Sequence, residues 1–101
     1  MILADVIGTV VAPIHHPAYA GRKLLLLRPL RPDGSPKGRG LVAVDRAGAG
    51  VGDRVLAVDE GSSARDLLGD PHAPVKTVVV GVVDFVEVER RLVYEAGGPV
   101  R

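Results

Sequence analysis

The chain has 101 residues, a formal net charge of +1 and 47% hydrophobic residues, which is the size and composition of one small folded domain. It contains no cysteine, which excludes disulfides, thiolate metal sites and thiol catalysis and fits a reducing cytoplasm. Acidic and basic residues are interspersed, so no basic block is present that could neutralise a row of phosphates.

The N-terminal residues are predicted to form a strand rather than a targeting segment. No basic region precedes the apolar run, and Asp5 interrupts it, so a signal peptide is not predicted. No apolar stretch in the sequence reaches the roughly 18 residues that a membrane-spanning helix requires.

The apolar positions along the chain are typical of strands. Eighteen of them are valine, which is stiff at χ1 and suits a pleated sheet better than a helix. Turn residues separate the apolar runs, and Pro32-Asp33-Gly34 is a clear example. Five short strands with such turns between them predict a mainly β (all-β) fold, a small closed or nearly closed five-stranded barrel. The predicted strands cover residues 2–12, 23–30, 40–45, 53–60 and 76–88.

Three alternating glycines, Gly48, Gly50 and Gly52, stand between the third and fourth predicted strands. A dinucleotide-binding loop follows a strand and opens a helix, whereas this run opens a strand. The Gly-Lys-Ser/Thr sequence of a phosphate-binding loop is also absent. The glycines are therefore predicted to form a tight connection between two strands, in which they supply positive φ angles.

One short helix is predicted near residues 63–68. Ser63 is expected to cap its start, with Asp66 as the second half of a capping box. Gly69 is expected to end the helix in the left-handed conformation, and Pro71 prevents its continuation.

The sequence predicts no catalytic, cofactor or metal site. His15 and His16 point to opposite sides of an extended segment, and His72 is distant in sequence, so the histidines do not form a converging set. Ser62 and Ser63 lack the G-x-S-x-G surroundings of a hydrolase nucleophile. Four carboxylates at predicted strand ends are expected to face water instead of forming an acid–base pair. They are Asp45, Asp59, Glu60 and Asp84.

Two predicted strands are apolar on both faces. Valines occupy both alternating sets within residues 76–88, and residues 24–27 are four leucines. A barrel has one inner face to bury, so its strands should alternate apolar and polar residues. Because the sequence shows no long amphipathic helix to cover the outer face, another copy of the chain is the simplest cover, and a homo-oligomer is predicted. Whether the set with Val79 or the set with Val80 faces the neighbour is left open.

The order of several short motifs resembles the bacterial microcompartment vertex family, the pentameric shell proteins of carboxysomes and of ethanolamine-utilisation and related metabolosomes. The first strand contains GTVVA at residues 8–12. The most specific part is GAGVG at 48–52, which is followed by GSSAR at 61–65. The resemblance covers residues 1–88, a single β-barrel vertex domain, while the tail 89–101 matches no part of the pattern and its role is open.

This resemblance implies a barrel similar to the oligonucleotide-binding fold that forms a homopentamer. The pentamer would cap the five-fold vertices of a cytoplasmic microcompartment shell otherwise built from hexameric or trimeric shell proteins. The resemblance implies no catalysis and no cofactor. Gly61, Ser62 and Ser63 are expected to line the five-fold axis because they are small and polar. The alternative is that they form a capped turn packed against the next subunit. At an axis, the helix start is expected to favour a small anion.

A second function considered is an oligonucleotide-binding-like barrel that binds nucleic acid or a small ligand. Such barrels stack bases on aromatic side chains within a basic groove. The chain has only three aromatic residues, Tyr19, Phe85 and Tyr94, so this surface is hard to build. A nucleic-acid binder would lose affinity steeply with salt, whereas a vertex protein is expected to bind no nucleic acid.

Overall fold

The structure is a computed structural model that describes residues 1–11, 17, 21–69 and 76–97. In the described part, no helix has the length and apolar character needed to cross a membrane. The elements in chain order are β1 (Ile2–Val10), β2 (Leu24–Leu30), β3 (Leu41–Asp45), β4 (Arg54–Asp59), α1 (Gly61–Leu68), β5 (Thr77–Val82), β6 (Phe85–Val88) and β7 (Arg91–Glu95).

Five strands close into a barrel in the order β1-β2-β3-β5-β4. Neighbouring strands are antiparallel except β3 and β5, which are parallel. The prediction of a mainly β, five-stranded barrel with one short helix is confirmed. The prediction of one strand over residues 76–88 is wrong, because the chain leaves the barrel after Val82. There Val83 N–H donates to the Arg54 carbonyl (2.8 Å), and β6 then pairs with β7 in a separate two-stranded sheet.

The barrel interior is closely packed with small and medium apolar side chains. Leu25 and Leu27 of β2, Val55 of β4 and Val79 of β5 are all at most 1% exposed. They belong to one continuous cluster that also includes the buried Ala4 of β1. Alternation along each strand places these residues inside, as the period of two in a β-strand requires.

Helix α1 covers part of the outer surface of the barrel. Its Ala64 and Leu68 form a second buried cluster with Val44 and Val78, and Val80 packs against that cluster. The expectation that another copy of the chain must cover the outer valines is therefore wrong at Val78 and Val80. Two turns of helix provide enough apolar surface to cover them.

The glycine-rich connection enters β4 as a tight turn, as predicted. Gly48 and Gly52 have φ angles of 76° and 95°, which only glycine adopts without steric cost. Gly52 N–H donates to the Val6 carbonyl (3.0 Å), and Val6 N–H donates to the Asp53 carbonyl (2.9 Å). The connection is thus hydrogen-bonded to β1, and its glycines allow the backbone to make the tight turn.

Asp45 holds the same connection from the other side. Its carboxylate accepts from the N–H groups of Ala47 (3.0 Å) and Ala49 (3.1 Å) and pairs with Lys23 Nζ at 3.1 Å. Burial favours the neutral acid, but these donors outweigh burial and lower the pKa of Asp45. The expectation that Asp45 faces water is wrong, because its side chain is only 4% exposed.

The β6–β7 hairpin is attached to the barrel through Arg54. The Arg54 guanidinium pairs with Asp5 of β1 (Nε to Oδ1, 2.8 Å) and lies 4.1 Å from the ring centroid of Tyr94 on β7. It also lies beside Gly34 in the loop before β3, where an added Cβ would come within 3.3 Å of Nη1. One side chain therefore contacts β1, the hairpin and this loop.

We expect Arg54→Met to loosen the hairpin without unfolding the barrel. The change keeps most of the side-chain length but removes the ion pair and the cation–π contact. Hydrogen bonds to charged groups contribute about 1.5–3 kcal/mol. Hydrogen exchange should show faster exchange of amides in β6 and β7 and little change in Leu25 and Leu27. Arg91→Met, on the exposed surface of β7, is the matched control, and equal effects of the two variants would contradict the assigned role.

Candidate symmetry-axis and subunit-contact surfaces

The start of α1 is built around the Glu60 side chain. Glu60 has an extended backbone (φ −154°, ψ 129°), and its carboxylate accepts from the N–H groups of Ser62 (2.7 Å) and Ser63 (2.9 Å). Both serine hydroxyls also donate to this carboxylate, each at 2.6 Å. The prediction of Ser63 as the cap is wrong, because Glu60 has two acceptor oxygens and satisfies both residues together. The prediction for Gly69 is confirmed, since it ends α1 with φ 70°.

These hydrogen bonds strongly favour the ionised form of Glu60. The hydroxyls of Ser62 and Ser63, followed by their N–H groups, lower the pKa of Glu60 from 4.5 to about 2. The N–H groups of Ser62 and Ser63 at the helix start are therefore not free. Because a carboxylate of the chain itself already occupies these donors, the physical basis for an anion preference at this point is removed.

We expect the helix start to lose stability in acid in a defined pH window. Since the folded pKa of Glu60 is lowered to about 2, its contribution is complete above about pH 4.5. That contribution is lost as the pH falls through about 2. An NMR titration of the Glu60 carboxyl should show the low pKa directly, and replacing both Ser62 and Ser63 by alanine should raise it. A Glu60 carboxyl that titrates at its ordinary value in the folded protein would contradict this structure of the cap.

The three residues expected at the axis lie together at the start of α1. Ser62 and Ser63 are exposed, whereas Gly61 is half-buried. The Arg65 guanidinium folds back beside Gly61, where an added Cβ would lie 2.9 Å from Nη1. Buried Ala64 attaches this turn to the barrel. The segment therefore presents two small polar side chains from a fixed backbone.

A groove that the sequence analysis did not identify runs between the barrel and the β6–β7 hairpin. Its volume is about 760 Å³. Leu3 of β1 and Leu56 of β4 are paired in register and line it from the barrel, and Phe85 and Val86 line it from the hairpin. Phe85 is 60% exposed, so the groove leaves a large apolar side chain in water. The break after Val82, which sequence periodicity did not reveal, creates this groove.

A second apolar surface lies on β2 and β3. Leu26 and Val42 are paired in register, and Val42 is 52% exposed. Gly8 and Gly40 flank Leu26; an added Cβ would lie 3.6 Å from Leu26 Cβ at Gly8 and 3.8 Å from Leu26 Cδ1 at Gly40. We call these four residues the β2–β3 face.

Two further acidic residues from the sequence analysis are Asp59, which lines the groove, and Asp84. Asp59 accepts from Thr77 Oγ1 (2.8 Å) and lies 3.8 Å from Lys76 Nζ, so it also has a structural role. Asp84 is exposed, as expected. The predictions that concern His15, His16, Tyr19, Pro71 and His72 fall outside the described residues and stay predictions.

Comparison with known proteins identifies the family. Residues 1–84 match the family model described as ethanolamine utilisation protein EutN/carboxysome. The chain is 43% identical over 86 residues to the bacterial microcompartment shell vertex protein EutN of Escherichia coli, an alignment that covers 85% of this chain and 90% of the relative.

Solved structures agree with this match. The structure of CcmL from Gloeobacter violaceus superposes with a TM-score of 0.87 at 37% identity and covers 97% of this chain and 100% of that one. The GrpN pentameric microcompartment shell protein from Rhodospirillum rubrum superposes with a TM-score of 0.76 at 40% identity, covering 87% of this chain and 98% of that one. The chain therefore belongs to the ethanolamine utilisation protein EutN/carboxysome family.

Proposed function

We propose that five copies of this chain form a ring that caps the five-fold vertices of a bacterial microcompartment shell. The observation that carries this proposal is the similarity to the pentameric shell protein GrpN, at 40% identity over nearly all of that chain. The chain belongs to a family whose curated relatives are named shell vertex proteins, and it is not an enzyme. Hexameric or trimeric shell proteins are its proposed partners around the vertex.

We assign the vertex-forming domain to residues 1–88, whose barrel strands end at Val82, and the axis lining to Gly61, Ser62 and Ser63. In a ring each side chain occurs once per subunit, so residues near the axis must be small and must not concentrate one charge. The exposed hydroxyls of Ser62 and Ser63 meet the first requirement. The second is met in part, because Glu60 and Arg65 bring opposite charges to the same turn.

The oligonucleotide-binding alternative is not favoured. Of the aromatic residues that the structure describes, Tyr94 already stacks against Arg54, and Phe85 lines an apolar groove. Neither is therefore available on a basic stacking surface of the kind that single-stranded nucleic acid requires.

Two measurements test the assembly. Native mass spectrometry should give a particle of five chains, and a mixture with four or six chains would contradict the proposal. Electron microscopy of shells assembled from hexameric shell proteins with and without this chain should show added density only at the five-fold vertices. Density on the flat facets instead would contradict the vertex position.

The axis assignment has its own test, because identical residues of neighbouring subunits approach one another only near a symmetry axis. The chain has no cysteine, so Ser62→Cys introduces a single thiol per subunit. A short bismaleimide should link neighbouring subunits within one ring of the Ser62→Cys variant. Asp66→Cys, exposed farther along α1, is the matched control and should not be linked. An intact ring in which Ser62→Cys stays unlinked would contradict the axis assignment.

A further inference from the structure

We propose that the loop between β2 and β3 binds an acidic segment of a partner protein. Four basic residues lie in this loop and at its two ends, and all are exposed; they are Arg28, Arg31, Lys37 and Arg39. We call these four residues the basic loop. Asp33 is the one acid among residues 28–39, so this stretch carries a net charge of +3, whereas the whole chain carries +1. The inference goes beyond the proposed vertex position and does not depend on the number of chains in the ring.

Hydrogen bonds to the backbone fix the shape of this loop. Arg31 N–H donates to the Ser35 carbonyl, and Lys37 N–H donates to the Pro29 carbonyl, both at 2.8 Å. The Arg31 guanidinium donates to the carbonyl of Pro36 at 2.6 Å, and Pro36 directly precedes Lys37. The Arg31 guanidinium is therefore held next to the backbone from which the Lys37 side chain projects.

Arg28 and Arg39 lie at the base of the loop, on its two legs. Leu27 of β2 is paired in register with Leu41 of β3; Arg28 directly follows Leu27, and Arg39 precedes Leu41 by two positions. An added Cβ at Gly40 would lie 3.5 Å from the Leu27 carbonyl oxygen, so the two legs are still close together at this level. The fold therefore gathers two arginines that are well separated in sequence at one end of the barrel wall.

The carboxylates beside the basic loop are engaged by other donors. Asp33 Oδ1 accepts from the N–H (2.9 Å) and the hydroxyl (2.6 Å) of Ser35. Asp5 is paired in register with Arg28, but its carboxylate accepts from Arg54 Nε (2.8 Å) and Nη2 (3.3 Å). Among the residues that the structure describes, none of the four basic side chains is in an ion pair. Their charges are therefore available to a partner.

The chemistry of the loop fits carboxylates better than nucleic acid or lipid. Residues 28–39 include no aromatic side chain on which bases could stack, and the loop tip, residues 32–35, has no large apolar side chain to insert into a lipid surface. Guanidinium groups bind carboxylates through two parallel hydrogen bonds. Because the loop backbone is already fixed, binding costs little ordering of the chain. An acidic protein segment is therefore the partner that this surface fits by charge and by shape.

Binding of defined peptides to the full chain tests the inference. The probe is a fluorescein-labelled peptide of alternating glutamate and serine, and the reference is the same peptide with glutamine in place of glutamate. Fluorescence anisotropy at low salt should show binding of the glutamate peptide and clearly weaker binding of the glutamine peptide. Arg28→Gln/Arg39→Gln should weaken binding of the glutamate peptide by roughly two- to thirtyfold, the range for two exposed ion pairs. Arg31 and Lys37 stay unchanged, since Arg31 also holds the loop and Lys37 lines the groove.

The matched control is Arg90→Gln/Arg91→Gln, which removes the same charge from two exposed residues of the hairpin and should leave the affinity unchanged. Circular dichroism should show that both double variants are folded, because all the substituted side chains are exposed. The inference is overturned if the glutamate and glutamine peptides bind equally well, or if the two double variants lose the same affinity. A single-stranded oligonucleotide of equal charge, or vesicles of an anionic phospholipid, that bound more tightly than the glutamate peptide would overturn it as well.

Discussion

A glutamate in place of Val79 is expected to prevent the barrel from folding. Val79 is 0% exposed and lies in the interior cluster with Val55 and Ala57. An unpaired charge buried there costs several kcal/mol, which is a large part of the roughly 5–15 kcal/mol of net stability of a small domain. Circular dichroism should show loss of the β-sheet spectrum, and the soluble yield should fall sharply.

Two variants serve as controls for this result. Val42→Glu changes a 52% exposed residue and should retain the β-sheet spectrum. Val80→Glu changes a half-buried residue that packs against the α1 cluster, so it should detach α1 while the barrel stays closed. A folded Val79→Glu protein with the thermal stability of the natural chain would contradict the position of Val79 in the core.

Phe85→Glu is expected to dissociate the ring and leave a folded monomer. The side chain is 60% exposed in the single chain, so the barrel does not depend on it. In the proposed ring we expect a neighbouring subunit to cover the apolar groove that Phe85 lines, and a charge at Phe85 would then be left in an apolar interface. Each ring has five such contacts, so the loss of assembly should be nearly complete at micromolar protein concentration.

Native mass spectrometry measures this loss, and circular dichroism checks that the monomer is folded. Leu92→Glu is the matched control, since Leu92 is 50% exposed on the same hairpin but away from the groove. It should assemble like the natural chain. If Phe85→Glu assembles fully, Phe85 does not lie in the subunit contact. If Leu92→Glu dissociates the ring as well, the contact is not confined to the groove.

The candidate site shows where sequence reasoning reached its limit. The segment Gly61–Ser63 was found from composition and resemblance, and it does form an exposed helix start. Glu60, whose carboxylate organises this helix start, was expected only to face water. A capping box pattern starting at Ser63 and a glutamate cap at Glu60 are both compatible with the same local sequence. The position at which β4 ends decides between them, because that position fixes which side chain faces the first N–H groups.

The same limit applies to the apolar residues between 76 and 88. The spacing of valines over residues 76–88 continues through Val83 and Asp84 without interruption, so periodicity predicted one strand. In the structure β5 ends at Val82, and Val83 N–H makes one more hydrogen bond to β4, at the Arg54 carbonyl; Phe85–Val88 then form no ladder with a barrel strand. They pair instead with β7. The groove and the exposed Phe85 follow from this break.

The sequence by itself determined the barrel, the glycine turns and the left-handed end of α1, because these depend on local properties: β-branched alternation, positive φ at glycine and the stop at Gly69. It also indicated self-association through its excess of apolar surface. Only the tertiary structure decided which apolar residues are available for that purpose. Val78 and Val80 are covered by α1, while Val42 and Phe85 are left in water. Periodicity assigns a side chain to a face of its strand, but what covers that face depends on elements distant in sequence.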